Sequence, residues 1–176
     1  MNSKINIETE RTLMRNLTID DADSFYALNL DREVIKYTGD KPFDNLQEAK
    51  IFLAKYDQNE KYGVGRLAVI DKKTLKFLGW CGLKYLPDKG EYDIGFRFFK
   101  KHWNKGFATE TAKKSIEYGF DYLDIKRIVG RAMTENVASI KVLEKLNMKF
   151  KSSFDFDGSE GVIYELTKKD YLTDYK

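Results

Sequence analysis

The chain has 176 residues, of which 42% are hydrophobic and 34% charged, and its formal net charge at pH 7 is only +3. This length favours one folded domain over residues 1–176, and the small, dispersed charge argues against a nucleic-acid-binding protein. Cys81 and His102 are the only cysteine and the only histidine, which excludes an intrachain disulfide and a Cys/His zinc site, so we expect no metal. No apolar run has the length of a signal peptide or a membrane span, so we expect a cytoplasmic protein without a membrane partner.

The first half of the chain predicts a strand, two helices and two more strands. Thr12 to Leu17 is typical of a strand, and Thr18 or Asp20 is suited to cap the helix that follows. NLQEAKIFLAKYDQN predicts an amphipathic helix, with one face formed by Ala49, Phe52, Leu53 and Tyr56. RLAVID and FLGWCGLKYL predict two strands joined by the polar turn KKTLK.

The second half alternates strands and helices. EYDIGFRFF predicts a strand with Gly95 in its interior, where a glycine often marks a bulge or a close approach to the backbone. ATETAKKSIEYGFDYLD predicts a long helix whose apolar stripe is Ala108, Ala112, Ile116, Phe120 and Leu123. RIVGRAM predicts a strand, NVASIKVLEKLN a helix, and FKSSFDF with GVIYELT a hairpin around Asp157 and Gly158. This order of elements predicts a mixed α/β domain.

The segment HWNKGFATE, from His102 to Glu110, lies between a predicted strand and the long helix. The free N–H groups and the dipole of a helix N-terminus attract a phosphate. Gly106 lets the backbone approach such an anion and Lys105 adds a positive charge, whereas Glu110 has to point away. The same residues are also compatible with a plain turn at Gly106 and a helix cap at Thr109. The Walker and dinucleotide-binding glycine motifs are both absent from the sequence.

The wider segment IGFRFFKKHWNKGFATET resembles the acyl-CoA loop of the GNAT superfamily of N-acetyltransferases, and more narrowly the ribosomal-protein N-terminal acetyltransferase (RimJ/RimL-like) subfamily. NVASIKVLEKLNMKF looks like the second signature of that subfamily, and ERTLMRNLTIDDAD is similar to its first strand and helix, so the likeness runs from about Glu10 to Thr167. It implies the GNAT fold: an α+β domain with a twisted, mostly antiparallel sheet of about six to seven strands flanked by about four helices. In that fold the fourth and fifth strands splay apart.

The resemblance also implies acetyl-CoA as co-substrate. The superfamily loop falls on Trp103, Gly106 and Ala108, and the backbone amides of Lys105, Gly106, Phe107, Ala108 and Thr109 would hold the pyrophosphate. Phe98 and its neighbours would pair through the backbone with pantetheine at the open edge of the fourth strand, which suits a bulge near Gly95. Asn136 would bond the pantetheine arm, and Lys145 would reach the CoA phosphates.

Three positions depart from the family pattern. Trp103 replaces the usual Gln or Arg, and Asn147 stands where a glycine is usual. Leu143 occupies the position at which many members carry the tyrosine that protonates the leaving thiolate. Ser139, one helical turn after Asn136, is our candidate for that contact, its alternative being a hydroxyl bonded to the carbonyl four residues back. Tyr164 is a weaker candidate acid.

Acetyl transfer to an amine requires the amine to lose a proton. Glu91 and Asp93 lie on the fourth strand, where the family keeps its base, and Asp93 is the favoured candidate. In a regular strand they share a face, whereas a bulge would separate them. The alternative for one of the two is a solvent-facing charge at the strand end. We expect Cys81 to be buried and inert. We expect His102 to be a solvated loop residue, the alternative being a contact with a phosphate.

These observations favour an acetyl-CoA-dependent N-acetyltransferase acting on a primary amine. The acceptor is a protein or peptide N-terminus, or alternatively a small amine such as a polyamine, an antibiotic or an amino acid. A non-catalytic acyl-CoA-binding domain is the alternative from another class, and either a monomer or a homodimer is compatible with the sequence.

The acceptor groove is expected between the segment from Asp31 to Asp44 and the C-terminal hairpin. Aromatic residues that either line this groove or belong to the core are Phe25, Tyr37, Trp80 and Tyr85. The hairpin acids Asp155, Asp157 and Glu160 would attract a cationic acceptor or simply form a solvated turn.

Overall fold

A computed structural model describes residues 4–156 and 158–174 of the chain. The described strands are β1 (Asn6–Glu8), β2 (Thr12–Asn16), β3 (Arg66–Asp71), β4 (Phe77–Leu86), β5 (Glu91–Phe98), β6 (Arg127–Met133), β7 (Lys149–Phe156) and β8 (Ser159–Thr167). The described helices are α1 (Ala22–Leu30), α2 (Arg32–Ile35), α3 (Leu46–Lys55), α4 (Gln58–Tyr62), α5 (Phe107–Tyr122), α6 (Val137–Lys145) and α7 (Lys168–Asp174). None of these helices is long and apolar enough to cross a membrane.

The strands form one sheet in the order β1-β2-β3-β4-β5-β6-β8-β7. Every neighbouring pair is antiparallel except β5 and β6, which are parallel. This confirms the predicted mixed α/β fold with a mostly antiparallel sheet. The sheet has one strand more than predicted because the three-residue β1 carries no readable alternation, so the predicted fourth and fifth strands are β5 and β6.

β5 and β6 separate soon after they meet. They pair only from Tyr92 opposite Ile128 to Ile94 opposite Gly130. Beyond that point β5 continues to Phe98 and β6 to Met133 without pairing to each other. The predicted splay is therefore present, and the second half of β5 has an open backbone edge.

The bulge expected near Gly95 is wrong. β4 and β5 stay in regular register through this position, where Gly95 lies opposite Gly82. Gly95 instead permits a close approach, because a Cβ there would lie 2.5 Å from Cζ of Arg66. The group that comes close is a side chain from β3, and it lies flat across β5.

Helices cover both faces of the sheet. The predicted stripe of α5 is buried on one face, with Ala112, Ile116 and Phe120 fully enclosed beside Ile94. Burying a side chain of this size stabilises the fold by roughly 1.5–3 kcal/mol. On the opposite face α1 and α3 form a smaller aromatic and aliphatic cluster against Trp80.

The N-terminal helix begins later than predicted. Thr18 precedes a short 3-10 turn at Ile19–Asp21, and α1 starts only at Ala22. The carboxylate of Asp21 accepts from the Thr18 backbone N–H at 2.9 Å, whereas Asp20 caps nothing. Thr18 is the N-cap residue of this 3-10 turn and forms a capping box with Asp21, so the prediction of Thr18 is confirmed for the turn that leads into α1, and the alternative of Asp20 is wrong.

Candidate active site

The loop before α5 leaves a helix N-terminus without a side-chain cap. Gly106 is the N-cap residue of α5 and has a left-handed backbone, with φ +81°. The first-turn N–H groups of Phe107, Ala108 and Thr109 have no acceptor among the described residues. The alternative of a Thr109 cap is not seen, because Thr109 is the third residue of the helix. Three aligned donors at the N-terminus of a 16-residue helix form a site suited to an anion.

Arg11 ties this loop to the start of β2. Its Nε donates to Glu110 Oε2 at 2.7 Å and its Nη1 donates to the Lys105 carbonyl at 2.9 Å. Its guanidinium also lies 4.2 Å from the centroid of the Phe107 ring. Burial alone would raise the pKa of Glu110, but hydrogen bonds from Thr9 and Arg11 outweigh it and hold that pKa below its ordinary value. The negative charge of the first turn is thus matched by Arg11.

Trp103 joins the loop to the open end of β5. Its indole Nε1 donates to the Phe98 carbonyl at 2.8 Å, and the Phe98 ring stacks on Phe107 with centroids 6.4 Å apart. Trp103, one of the three residues that depart from the family pattern, therefore links the end of β5 to the loop before α5. The Lys105 side chain is exposed beside it.

Asn136 and Ser139 lie together at the start of α6. Asn136 is the N-cap residue, and its Oδ1 accepts from the Ser139 backbone N–H at 3.2 Å. This leaves the Asn136 amide nitrogen and the Ser139 hydroxyl without hydrogen-bond partners in the described part of the chain. The alternative in which Ser139 bonds the carbonyl four residues back is not seen. Lys145 lies at the other end of α6 with an exposed side chain.

The position of the usual tyrosine is part of the core. Leu143 is 2% exposed, and a Cβ on Gly130 would lie 2.5 Å from its Cδ2. Tyr164 donates its hydroxyl to Glu144 at 3.2 Å, and burial together with Glu144 raises the pKa of Tyr164. Tyr164 is not among the residues that line the cleft described next.

A cleft of about 530 Å³ opens on the face covered by α1 and α3, where β5 and β6 part. Asn136 and Ser139 are on its wall, and so are residues of the two segments expected to form the acceptor groove. These are Tyr37, Thr38, Asp40, Lys41 and Phe43 before α3, and Phe156 in the hairpin. The cleft thus connects the α6 end of the site with the segments predicted to surround an acceptor.

The four aromatic residues divide between cleft and packing. Phe25, Tyr37 and Trp80 line the cleft. Tyr85 does not, because it packs between Tyr62 and Tyr92 with ring centroids 4.8 Å from each.

The two candidate carboxylates, Glu91 and Asp93, share a face of β5, and each forms ion pairs with arginines. Asp93 accepts from Arg66 Nη2 at 2.8 Å and from Arg131 Nη1 at 3.1 Å. Glu91 pairs with Arg131 and accepts from Arg127 Nη2 at 3.0 Å. Their side chains are 14% and 13% exposed, so they are not solvent-facing charges. Asp93 lines the cleft and Glu91 does not.

The charge on Glu91 is strongly favoured by its neighbours. Burial would raise the pKa of Glu91, but the hydrogen bond and charge of Arg131, with Arg127 and Lys151, lower it below the ordinary value. Glu91 is therefore ionised near neutral pH and acts chiefly as the partner of Arg131 and Arg127.

Sequence reasoning missed the arginines of this face. Arg66, Arg97 and Arg131 all line the cleft. The strand alternation held a signal for Arg97, because it follows Asp93 at a spacing of four and therefore points to the same face. The register that brings Arg66 and Arg131 to Asp93 is a long-range property and has no signal in any single segment.

Other residues singled out in the sequence lie outside the cleft wall. Cys81 is fully buried, and burial raises the pKa of its thiol to about 11, which agrees with the expected inert residue. His102 packs edge-on against Phe107 with centroids 6.1 Å apart. Asp155 accepts from the Gly158 N–H at 3.2 Å within the hairpin turn, and Glu160 is exposed. Asp157 lies outside the described residues.

A family model described as "Acetyltransferase (GNAT) domain" matches residues 11–149, more than half of the chain. The chain belongs to the GNAT acetyltransferase family. The relative called "Uncharacterized N-acetyltransferase p20", from Bacillus licheniformis, is 31% identical over 171 residues, which are 93% of this chain and 96% of the relative. This GNAT protein is thus an acyltransferase of a family whose members use acetyl-CoA and an amine acceptor.

Two solved structures show the same fold at low identity. The ribosomal-protein-S5-alanine acetyltransferase of Vibrio fischeri aligns with a TM-score of 0.81 and 16% identity, covering 95% of this chain and 98% of that one. The spermidine N-acetyltransferase of Vibrio cholerae, solved with CoA and spermine, aligns with a TM-score of 0.77 and 18% identity, covering 92% and 98%. These two neighbours act on different kinds of amine, so the shared fold does not select an acceptor.

Proposed function

We propose that this GNAT protein transfers an acetyl group from acetyl-CoA directly to a primary amine bound in the cleft. The observation that carries the proposal is the combination of the uncapped α5 N-terminus at Gly106, the open edge of β5 and the unpartnered polar groups at the start of α6. The first is suited to a pyrophosphate, and the other two offer hydrogen bonds to an extended amide chain. The sequence signatures support a RimJ/RimL-like relationship within the family.

The residues proposed to hold acetyl-CoA form three groups. The amides from Lys105 to Thr109 hold the pyrophosphate, with Trp103 fixing the loop to β5. The backbone of β5 from Gly95 to Phe98 and the amide nitrogen of Asn136 bind the pantetheine arm. Lys145 adds a positive charge for the phosphates. Acetyl-CoA supplies the activated acetyl group, and these residues orient it toward the cleft.

Asp93 is the proposed proton acceptor because it is the candidate carboxylate that lines the cleft. Its ion pairs with Arg66 and Arg131 hold the carboxylate in place beside the cleft, and a carboxylate is in general a weak base. A weak base suffices for an α-amino group, whose ordinary pKa is about 8, more readily than for a lysine amine at about 10.4. Glu91, bound by Arg131 and Arg127, is the less suitable of the two.

Ser139 is the proposed donor to the departing thiolate. Its hydroxyl lies on the cleft wall without a hydrogen-bond partner in the described part of the chain. The main chain of the open β5 edge is suited to stabilise the carbonyl oxygen, because preorganised N–H donors favour developing negative charge. No covalent intermediate on the protein is needed, which agrees with the inert, buried Cys81.

Release of free CoA thiol from acetyl-CoA, measured against a panel of amines, tests the proposal. The panel contains spermidine, an aminoglycoside, free amino acids and peptides with Ala, Ser or Thr at the N-terminus. Asn136→Ala should raise the KM for acetyl-CoA, and Asp93→Ala should lower turnover while leaving CoA binding intact. Lys89→Gln, an exposed change in the β4–β5 turn, is the control for altered surface charge.

Two results decide against the proposal. If CoA neither binds nor raises the melting temperature, the assignment of the Gly106 loop is wrong. If CoA binds but no amine of the panel or of a wider peptide library is acetylated, the alternative of a non-catalytic acyl-CoA-binding domain is favoured.

A further inference from the structure

The cleft carries an excess of positive charge. Its described lining includes five cationic side chains, Arg66, Arg97, Arg131, Lys41 and Lys84, but only two carboxylates, Asp40 and Asp93. Glu91, which pairs with Arg131 from outside the lining, reduces this excess of positive groups from three to two. A cleft with such an excess favours an anionic acceptor over a polycation.

Two of the three arginines are held by acidic groups of the neighbouring strands. Arg66 donates to the Asp93 carboxylate and to the carbonyls of Gly82 and Asp93. Arg131 is shared between Glu91 and Asp93. Both guanidinium groups therefore serve to hold β3, β5 and β6 together.

Arg97 differs from them because no acidic group of the described neighbouring strands holds its guanidinium. Its side chain is only 10% exposed, yet among the described residues its ion-pair partner is Asp40 alone, through Nη2. Its buried Nε has no hydrogen-bond partner in this part of the chain, which is also true of the Arg131 Nε, but Arg131 is held by two carboxylates. Leaving a buried cationic donor unpaired is unfavourable, so a further acceptor for this group is expected when the site is filled.

The partner of Arg97 is itself replaceable. Asp40 is 53% exposed and lies in the irregular segment between α2 and α3. It engages one guanidinium nitrogen, whereas a carboxylate bound side-on takes Nε and Nη2 together in two parallel hydrogen bonds. An incoming carboxylate would therefore gain the buried Nε while releasing Asp40 to water.

The surroundings of Arg97 also fit a small amine with an apolar side chain. Its guanidinium lies 5.1 Å from the Trp80 ring centroid, and Trp80 faces the cleft together with Phe25, Phe43 and Phe52. These three phenylalanines contact one another with ring centroids 5.6 to 5.9 Å apart. Arg97 also lies on the half of β5 that has left β6, where acetyl transfer is proposed.

We infer that the acceptor is a small primary amine bearing a carboxylate, such as an amino acid with an apolar side chain, whose carboxylate binds Arg97 in place of Asp40. This inference rests on the proposed acetyltransferase function and specifies its acceptor. Arg97 thereby sets specificity, and Asp40 is an internal competitor for the acceptor's carboxylate.

Matched acceptor pairs that differ only in the carboxylate test the inference. Thiol release from acetyl-CoA is measured with phenylalanine against phenylalaninamide and with leucine against leucinamide, alongside phosphoethanolamine and spermidine. We expect the carboxylates to have a kcat/KM about 10- to 100-fold above the amides, the range of one charge-assisted hydrogen bond. Higher activity with the amides, with phosphoethanolamine or with spermidine would overturn the inference.

Two variants with opposite expected effects separate recognition from folding. Arg97→Gln should remove most of the preference for the carboxylate while changing the kcat/KM of the amides little. Asp40→Asn should lower the KM for the carboxylate acceptor, because it removes the competitor and leaves Arg97 in place. If the Arg97–Asp40 pair is purely structural, both variants will lower the melting temperature. Neither variant will then change the ratio of kcat/KM for the carboxylate acceptor to kcat/KM for its amide.

A binding measurement covers the case in which none of these amines is turned over. N-acetylphenylalanine should raise the melting temperature of the CoA-loaded protein more than N-acetylphenylalaninamide does, and Arg97→Gln should abolish the difference. No such difference would overturn the inference even when CoA binds normally. Failure of CoA itself to bind would instead overturn the proposed function on which the inference rests.

Discussion

Replacing Gly106 by alanine tests the proposed phosphate-binding role of the loop most directly. With φ +81° at this position, an L-residue is strained by roughly 1–2 kcal/mol. The new Cβ would meet only Arg11 Nη2, at 3.4 Å, which is the end of a flexible side chain, so backbone strain dominates the loss of stability. In a chain of this size that strain lowers Tm by about 2–8 °C.

The effect on CoA binding should exceed the effect on folding. Relief of the strain requires Gly106 to leave the left-handed region, which turns the first-turn N–H groups of α5 away from their common direction. Loss of one hydrogen bond to a charged group corresponds to about 1.5–3 kcal/mol, or at least tenfold in the Kd for CoA. Isothermal titration calorimetry with CoA, well below Tm, measures this change.

Gly90 provides the matched control. It also has a positive φ, +62°, and no atom lies within 4 Å of a Cβ built there, in the turn between β4 and β5. Gly90→Ala should therefore lower Tm by a similar amount and leave the Kd for CoA unchanged. Equal affinity of Gly106→Ala and Gly90→Ala for CoA would refute the reasoning.

Four further predictions concern single side chains. The folded-state pKa of Glu110 is depressed, so its stabilising contact with Arg11 is present above the ordinary pKa of 4.5 and is lost as the pH falls through the folded pKa. The Tm of the wild type should therefore drop more steeply in acid than the Tm of Glu110→Gln. Parallel curves of Tm against pH would contradict this. Asp93→Asn should lower kcat/KM by about 100-fold near neutral pH, with a smaller deficit at alkaline pH where the amine is already deprotonated, and a constant deficit would point to a structural role. Ser139→Ala should lower kcat by about tenfold without changing the Kd for CoA. An unchanged kcat with a raised Kd for CoA would show that Ser139 takes no part in the acetyl transfer. Cys81, whose thiol pKa is raised to about 11 by burial, should react with a thiol reagent at pH 8 only after unfolding, so rapid labelling of the folded chain would show that the residue is accessible.

Local patterns were sufficient to predict most elements and the loop. The stripe of α5 repeats every three to four residues, and its central members are fully buried in the structure. The glycine at position 106 has the left-handed backbone that a glycine before a helix favours. These features depend on residues close in sequence, so their signals lie within one segment.

The cleft could not be predicted in the same way because its charges come from strands far apart in sequence. Arg66 reaches Asp93 across 27 residues, and Arg131 reaches it across 38. Gly95 was interpreted through the backbone alone, although its role is to leave space for the Arg66 guanidinium. Side-chain pairing across a sheet depends on register, and no single strand contains that information.

Strand β5 borders the core and also the two sites proposed for the cofactor and for the acceptor. Alternation directs Ile94 and Phe98 into the core under α5, and it directs Asp93 and Arg97 into the cleft on the opposite face. After Ile94, the backbone edge of β5 that had paired with β6 is open. Its main-chain groups are separate from the side chains on the two faces of the strand. A substitution that re-pairs this edge with β6 would therefore close the site without changing either face. Arg97 and the open edge belong to the same backbone, so a shift of β5 would move the proposed acceptor contact and the proposed pantetheine contact together.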